Sequence, residues 1–243
     1  MSTPIKVPAT VTSIVAHGDD VYSLSLAPMR ELPSFLPGQF LHLALDAYEP
    51  SSHWPESRVF SIATSPTRAS QLRVTFAVKG AFTRRMASTL HEGDVVWLKL
   101  PYGDFTLQPA SELETVLIAG GTGITPFVAF LEFLLDRRIA RPVKLFYGAR
   151  RQGLLLYRAL IDECAARLPG FRAAYWVESR EADGDTARCR EGRLSLAEIL
   201  TQVDRPLEAA YYLSGPPPMI KTFAGELSAR GVADAHIHID AWD

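Results

Sequence analysis

Three glycines fall within the eight residues Ala119-Gly120-Gly121-Thr122-Gly123-Ile124-Thr125-Pro126. The run follows an apolar stretch, Val116 to Ala119, and opens a helix-like one, so it forms a strand-to-helix turn. Glycines there let the backbone approach a ligand closely, and the free N–H groups at the positive end of the helix dipole suit a pyrophosphate. Pro126 sits where its fixed φ and missing N–H cost little. The spacing is not G-x-G-x-x-G, and a tight turn needs glycines for its own geometry as well. Topology weighs on the side of a ligand. Tyr147-Gly148 and Ser214-Gly215 end two further apolar runs, and ligands of doubly wound sheets bind beyond the carboxyl ends of the strands.

The elements that would position this turn change character along the chain. Up to about Leu107, short apolar or alternating runs read as strands: Val21 to Leu26, Phe40 to Leu45, Val59 to Ala63, Leu72 to Val78 and Val95 to Leu100. They are separated by turn signals such as Pro37-Gly38, Ser65-Pro66, Lys79-Gly80 and Glu92-Gly93, with one short helix expected over Thr83 to Leu90. This spacing predicts an N-terminal antiparallel β-barrel or sandwich.

From Thr115 onward, apolar strands alternate with helical stretches. The strands are Val116–Ala119, Val143–Tyr147, Ala173–Val177, Ala210–Leu213 and His236–Ile239; the helices are Pro126–Asp136, Leu154–Arg167, Leu194–Leu200 and Met219–Ala229. The expectation is a C-terminal α/β domain with a doubly wound, five-stranded parallel sheet. Gln108 to Glu112 is the natural boundary, giving domains over 1–109 and 110–243, and Glu178 to Gly192 reads as one long polar loop.

Composition excludes several functions. A length of 243 residues suits two modest cores, and a formal net charge of -2 without a Lys/Arg run argues against nucleic acid as a partner. The N-terminal segment has no apolar core of signal-peptide length, and no run is long enough to span a membrane, so a cytoplasmic protein is expected. Two cysteines, Cys164 and Cys189, provide neither a disulfide framework nor an iron–sulfur ligand set. No metal site is expected, and a one-electron carrier would have to come from another chain.

Five segments, in order, resemble the motifs of the ferredoxin–NADP reductase family. Gly38-Gln39-Phe40 is similar to its Gly-Gln-Phe/Tyr, and Arg58-Val59-Phe60-Ser61 to its flavin motif Arg-x-Tyr/Phe-Ser/Thr. Lys79-Gly80-Ala81-Phe82-Thr83, after Val78, resembles the loop and helix start that meet the flavin phosphates. The glycine turn resembles the nicotinamide-dinucleotide turn, and Ser214-Gly215-Pro216-Pro217-Pro218-Met219 resembles Cys-Gly-Pro-Pro-Pro-Met. The resemblance implies a flavin-binding barrel followed by a pyridine-nucleotide domain. It further implies hydride transfer from NAD(P)H to FAD (FMN being the less common choice) and electron delivery to ferredoxin, flavodoxin or an oxygenase component.

Residue roles follow from that resemblance. Arg58 would fork onto the flavin pyrophosphate, a task suited to guanidinium geometry. Val59 lies in the motif, and Phe60 would pack on the flavin ring and ribityl region. Ser61 would place its hydroxyl near flavin N5, while backbone groups of Ile62 and Ala63 orient the ring. Thr83 and the N–H groups from Phe82 to Arg84, next to Gly80, would hold a phosphate, although Thr83 also suits a helix N-cap. Gly121, Thr122, Gly123, Ile124 and Thr125 would meet the nucleotide, together with Gly215, Pro216 and Met219. Ser214 stands where the family usually carries a cysteine. Asp240-Ala241-Trp242 aligns with an acidic-x-aromatic ending whose aromatic covers the flavin; here Trp242 takes that place, and one residue follows it. Ser61, Ser214, Asp240 and Trp242 are thus the candidate catalytic set.

Ser179-Arg180-Glu181 resembles the Ser-Arg-Glu of NADP-using members. Arg150, Arg151 and Arg193 add charge, and Leu154 replaces an acidic residue common in NAD-using relatives. These features lean towards NADP(H). The alternatives are a ferric or free-flavin reductase, to which Gly80–Thr83 and Pro101-Tyr102-Gly103-Asp104-Phe105 are also similar, and a non-catalytic flavin-binding electron-transfer subunit.

Overall fold

A computed structural model describes residues 2–107, 113–179 and 189–240. Six strands and a helix occupy the N-terminal part: β1 (Ile5–Gly18), β2 (Val21–Pro28), β3 (Phe40–Ala44), β4 (Ser57–Ser61), β5 (Leu72–Ala77), α1 (Ala81–Thr89) and β6 (Val95–Tyr102). They form one antiparallel sheet in the order β4-β3-β6-β1-β2-β5. Just past β4, the two edges are bridged by Ala63 N–H donating to Arg73 O at 2.8 Å, which brings the sheet close to a barrel. Val7, Leu24, Leu41, Leu72, Val96 and Leu98 fill its interior, with Phe82 and Met86 of α1 packed into the same core.

The longest strand, β1, was not expected from the sequence. Pro8 interrupts its alternation, and proline is usually confined to sheet edges. Here β1 is central, yet Pro8 needs no ladder donor: it pairs with Trp97 of β6, while its carbonyl accepts Met29 N–H at 2.9 Å.

The C-terminal part contains β7 (Thr115–Gly120), α2 (Thr125–Arg137), β8 (Val143–Arg151), α3 (Arg158–Arg167), β9 (Phe171–Ser179), β10 (Cys189–Glu191), α4 (Leu196–Leu200), β11 (Ala210–Ser214), α5 (Pro217–Ala229) and β12 (Ile237–Ile239). Every residue of β7 and β11 is buried, as expected for a parallel sheet covered on both faces. The strand order is β10-β9-β8-β7-β11-β12. The expected five strands are therefore six. β10 arises from the segment read as a polar loop, where Cys189 pairs with Tyr175 and is buried. A three-residue strand among charged neighbours carries too little apolar pattern to stand out.

By contact density the chain separates into Met1–Leu107 with Thr125–Phe133, and Gln108–Ile124 with Leu134–Asp243. The expected boundary, Gln108 to Glu112, lies outside the described residues. Among the described residues, no helix is long and apolar enough to cross a membrane.

Candidate functional site

In the first unit, the chain turns into the Arg58–Ser61 strand through a set of fixed contacts. Gly38 has φ +93°, and a Cβ there would lie 2.2 Å from Phe105 O, so only glycine fits. Gln39 then ties three segments together: its Oε1 accepts Leu36 N–H at 2.8 Å, its Nε2 donates to Gly103 O at 3.0 Å, and its carbonyl accepts Ile62 N–H at 2.9 Å. Phe40 pairs with Ser61 across the ladder.

Arg58 is half exposed. It donates to Glu56 Oε1 at 3.0 Å and to Ser57 O at 2.8 Å, and its guanidinium lies 5.2 Å from the centre of the Phe82 ring. The fold thereby brings Arg58 to the first turn of α1, although 24 residues separate it from Phe82. Val59 pairs with His42 and Phe60 with Leu41, and the Phe60 ring lies 6.0 Å from Phe76 at the margin of the core.

Two backbone expectations change. Ile62 and Ala63 spend their N–H groups on Gln39 O and Arg73 O, and the Ala63 carbonyl accepts from Arg73 Nε at 3.2 Å. They are therefore part of the framework that shapes the segment. At α1, Arg84 N–H is bonded to Gly80 O at 3.0 Å, as the fourth residue of a helix must be, which leaves the N–H groups of Phe82 and Thr83 for an anion. The Thr83 hydroxyl accepts Lys79 N–H at 2.9 Å and Gly80 N–H at 3.1 Å, so its local work is to cap the helix. Val78, just ahead, donates its N–H to Asp20 O at 2.9 Å.

Polar groups remain to be matched beside this strand. Ser61 is a buried residue at the end of this strand. Thr64 Oγ1 is fully buried and unpaired, and sequence reading had not singled it out. Buried hydroxyls normally find partners, so Thr64 Oγ1 suits a bound group that offers a hydrogen-bonding atom.

In the second unit, strand order reverses between β8-β7 and β7-β11, which makes the carboxyl ends of β7 and β11 the switch point at which such sheets bind ligands. The two motifs expected there interlock. A Cβ on Gly123 would lie 2.3 Å from Ser214 O, one on Gly215 would lie 2.9 Å from Gly120 Cα, and one on Gly120 would lie 2.7 Å from Pro216 Cδ and 3.0 Å from Met219 Sδ. Gly123 and Gly215 thus serve backbone-to-backbone packing, while Gly120 makes room for the Pro216 and Met219 side chains. Gly121 differs: its φ is +55° and nothing lies within 4 Å of where a Cβ would point. Thr122 follows in the turn, Ile124 is buried, and Thr125 opens α2.

Ser214 and Asp240 are brought together. The Ser214 hydroxyl donates to Asp240 Oδ2 at 2.7 Å, both residues are buried, and Asp240 N–H donates to Leu213 O at 2.9 Å. Trp242 lies outside the described residues, as does Arg180.

At the neighbouring strand ends, Ser179 Oγ donates to Arg150 O at 3.3 Å. Arg193 is held by Glu178, with Nε 3.1 Å from Oε1, so part of its charge is answered within the protein. Leu154 is buried, and its carbonyl accepts from the Tyr147 hydroxyl at 3.2 Å. Burial pushes the Tyr147 phenol well above its ordinary range, so it stays neutral.

Residues 117–224 match the oxidoreductase NAD-binding domain model. The flavohemoprotein of Bordetella pertussis is 32% identical over 232 residues, covering 92% of this chain and 57% of that protein. The propane 2-monooxygenase reductase component of Mycolicibacterium smegmatis is 31% identical over 234 residues, covering 92% of this chain and 64% of that protein. The chain therefore spans only part of the length of these relatives. Among solved structures, the Amycolatopsis cytochrome P450 reductase GcoB superposes with a TM-score of 0.84 at 26% identity, covering 98% of this chain and 69% of that one. The ferredoxin reductase of carbazole 1,9a-dioxygenase gives a TM-score of 0.80 at 24% identity, covering 99% and 70%. Residues 117–224 thus belong to the oxidoreductase NAD-binding domain family, in a chain with the two-sheet fold of the ferredoxin-reductase-type flavoprotein reductases.

Proposed function

We propose that this chain takes a hydride from NAD(P)H onto bound FAD and passes electrons to a separate acceptor, as the reductase partner of an oxygenase component, a ferredoxin or a flavodoxin. The observation that carries the reading is the interlock of Gly120–Ile124 with Ser214–Met219 at the switch point of the parallel sheet. A glycine turn of this kind at the start of a helix suits a dinucleotide pyrophosphate.

Arg58 and the first turn of α1 bind the flavin pyrophosphate, with the guanidinium kept in place by Phe82 and Glu56. Phe60 bounds the ring on its apolar side, and Ser61 offers a hydroxyl donor at the edge that receives hydride. Ser214, oriented by Asp240, sets the height of the nicotinamide ring. A bound flavin supplies two-electron acceptance and one-electron delivery. Hydride transfer depends steeply on donor–acceptor geometry, so rigid positioning is the chain's main contribution.

NADPH is the preferred donor in this reading. Arg150 and Ser179 adjoin at two strand ends, and Arg180 follows Ser179 in sequence. Anaerobic addition of NADPH, and separately NADH, to the FAD-loaded protein tests both halves by the loss of visible flavin absorbance. Rapid bleaching by NADPH is expected, with slower bleaching by NADH. A protein that retains no flavin, or flavin that neither nucleotide bleaches, would overturn the function. An Arg180→Ala variant with unchanged KM for NADPH would overturn the nucleotide preference alone.

A further inference from the structure

Glu132 lies on α2, and its side chain is 3% exposed. Burying a carboxylate is costly unless charge and hydrogen bonds answer it. Here one oxygen accepts Ser65 N–H at 2.9 Å, and the other accepts Arg73 Nη2 at 2.6 Å and Arg68 Nη1 at 3.2 Å. All three donors belong to the single stretch that leaves the Arg58–Ser61 strand and enters β5. Arg73 reaches further, because its Nε donates to Ala63 O while its backbone carbonyl accepts Ala63 N–H. Ser61 to Ser65 is thereby pinned at each end: Phe40 and Gln39 hold the start, and Arg73 and Glu132 hold Ala63 and Ser65. Between these fixed points lie the buried side chains of Ser61 and Thr64, and Thr64 Oγ1 has no hydrogen-bond partner among the described residues.

We propose that Glu132 is a positioning residue for hydride acceptance: through Arg73 and Ser65 it fixes the backbone that aims Ser61 and Thr64 at the flavin. This rests on the flavin-reductase reading above. The carboxylate matters as a charge as well as an acceptor. In Glu132→Gln the amide oxygen can still take Ser65 N–H, but the contacts that Arg73 and Arg68 make to this position lose their ionised acceptor.

The test uses FAD-loaded wild type, Glu132→Gln and Arg73→Lys, the last keeping the ion pair while giving up the second reach to Ala63 O. In both variants, flavin reduction at saturating NADPH should slow by about tenfold, since small displacements from the reacting geometry have large effects on rate. The dissociation constant for NADP⁺ should stay within about twofold of wild type, because the nucleotide turn is untouched. The flavin midpoint potential of Glu132→Gln should rise, as the loss of one nearby negative charge favours the reduced, more anionic cofactor. If Glu132→Gln does not fold, Arg73→Lys decides by the same two measurements. Variants that melt earlier but reduce their flavin at the wild-type rate would reduce Glu132 to a structural brace and overturn the proposal. Flavin that is not bleached even in wild type would overturn the parent function instead.

Discussion

The Ser61–Ser65 segment and the Gly120–Ile124 turn are both held rigid, but by opposite means. The first is fixed by polar contacts: backbone N–H groups given to Gln39, Arg73 and Glu132, and a buried carboxylate answered by two arginines. The second is fixed by steric contact, with Gly120, Gly123 and Gly215 pressed so closely that no Cβ fits among them. A polar clamp can be weakened by degrees and leaves the fold standing. A backbone interlock fails as soon as one atom is added.

That contrast orders the expected effects of substitution. Gly123→Ala should have the largest. A Cβ placed 2.3 Å from Ser214 O must push two backbone segments apart, and overpacking of this kind costs about 3 kcal/mol. Thermal unfolding should show the loss, and the surviving folded protein should no longer be reduced by either nucleotide. A stable variant with normal nucleotide binding would break the idea that packing governs this turn.

Ser214→Ala should follow. It removes the hydroxyl that donates to the buried Asp240 carboxylate, and losing a donor to such a group costs about 2 kcal/mol. Denaturant titration should register this, and Ser214→Cys, a weaker donor, should fall between. Arg58→Ala acts on the polar side and should leave the fold intact, since its ion pair with Glu56 is exposed. A charge-assisted bond to a phosphate is worth about 1.5–3 kcal/mol, so FAD affinity should drop by about tenfold or more in a fluorescence titration. Unchanged affinity would remove Arg58 from the flavin site.

Gly121→Ala gives the smallest and sharpest comparison. It lies two residues from Gly123, but it has open space where a side chain would go and needs only its positive φ. The strain of placing alanine there is about 1 kcal/mol. A cost as large as that of Gly123→Ala would mean that Gly121 also meets something in the folded protein.

Much of the arrangement was legible in advance because the signals are local. Apolar alternation marked β2, β3, β5 and β6, apolar runs between helical stretches marked the parallel sheet, and glycines and prolines marked the turns. The glycine- and proline-containing runs were readable for the same reason, each being a short segment whose residue types already express a backbone geometry. β1 escaped notice because Pro8 breaks the expected pattern, and β10 because three residues among charges carry no period.

Thr83 and Arg84 show the limit from another side, since a sequence names donors but does not say which are already used inside a helix. The order of elements and the strand-to-helix turn were determined by the sequence itself, through periodicity and backbone preference. Tertiary structure alone decided that Gly123 meets Ser214, that Arg58 meets Phe82, and that Glu132 answers Arg73 across 59 residues of chain. The physical reason is that burial, close contact and charge compensation are properties of neighbours in space, which no local pattern of residue types encodes.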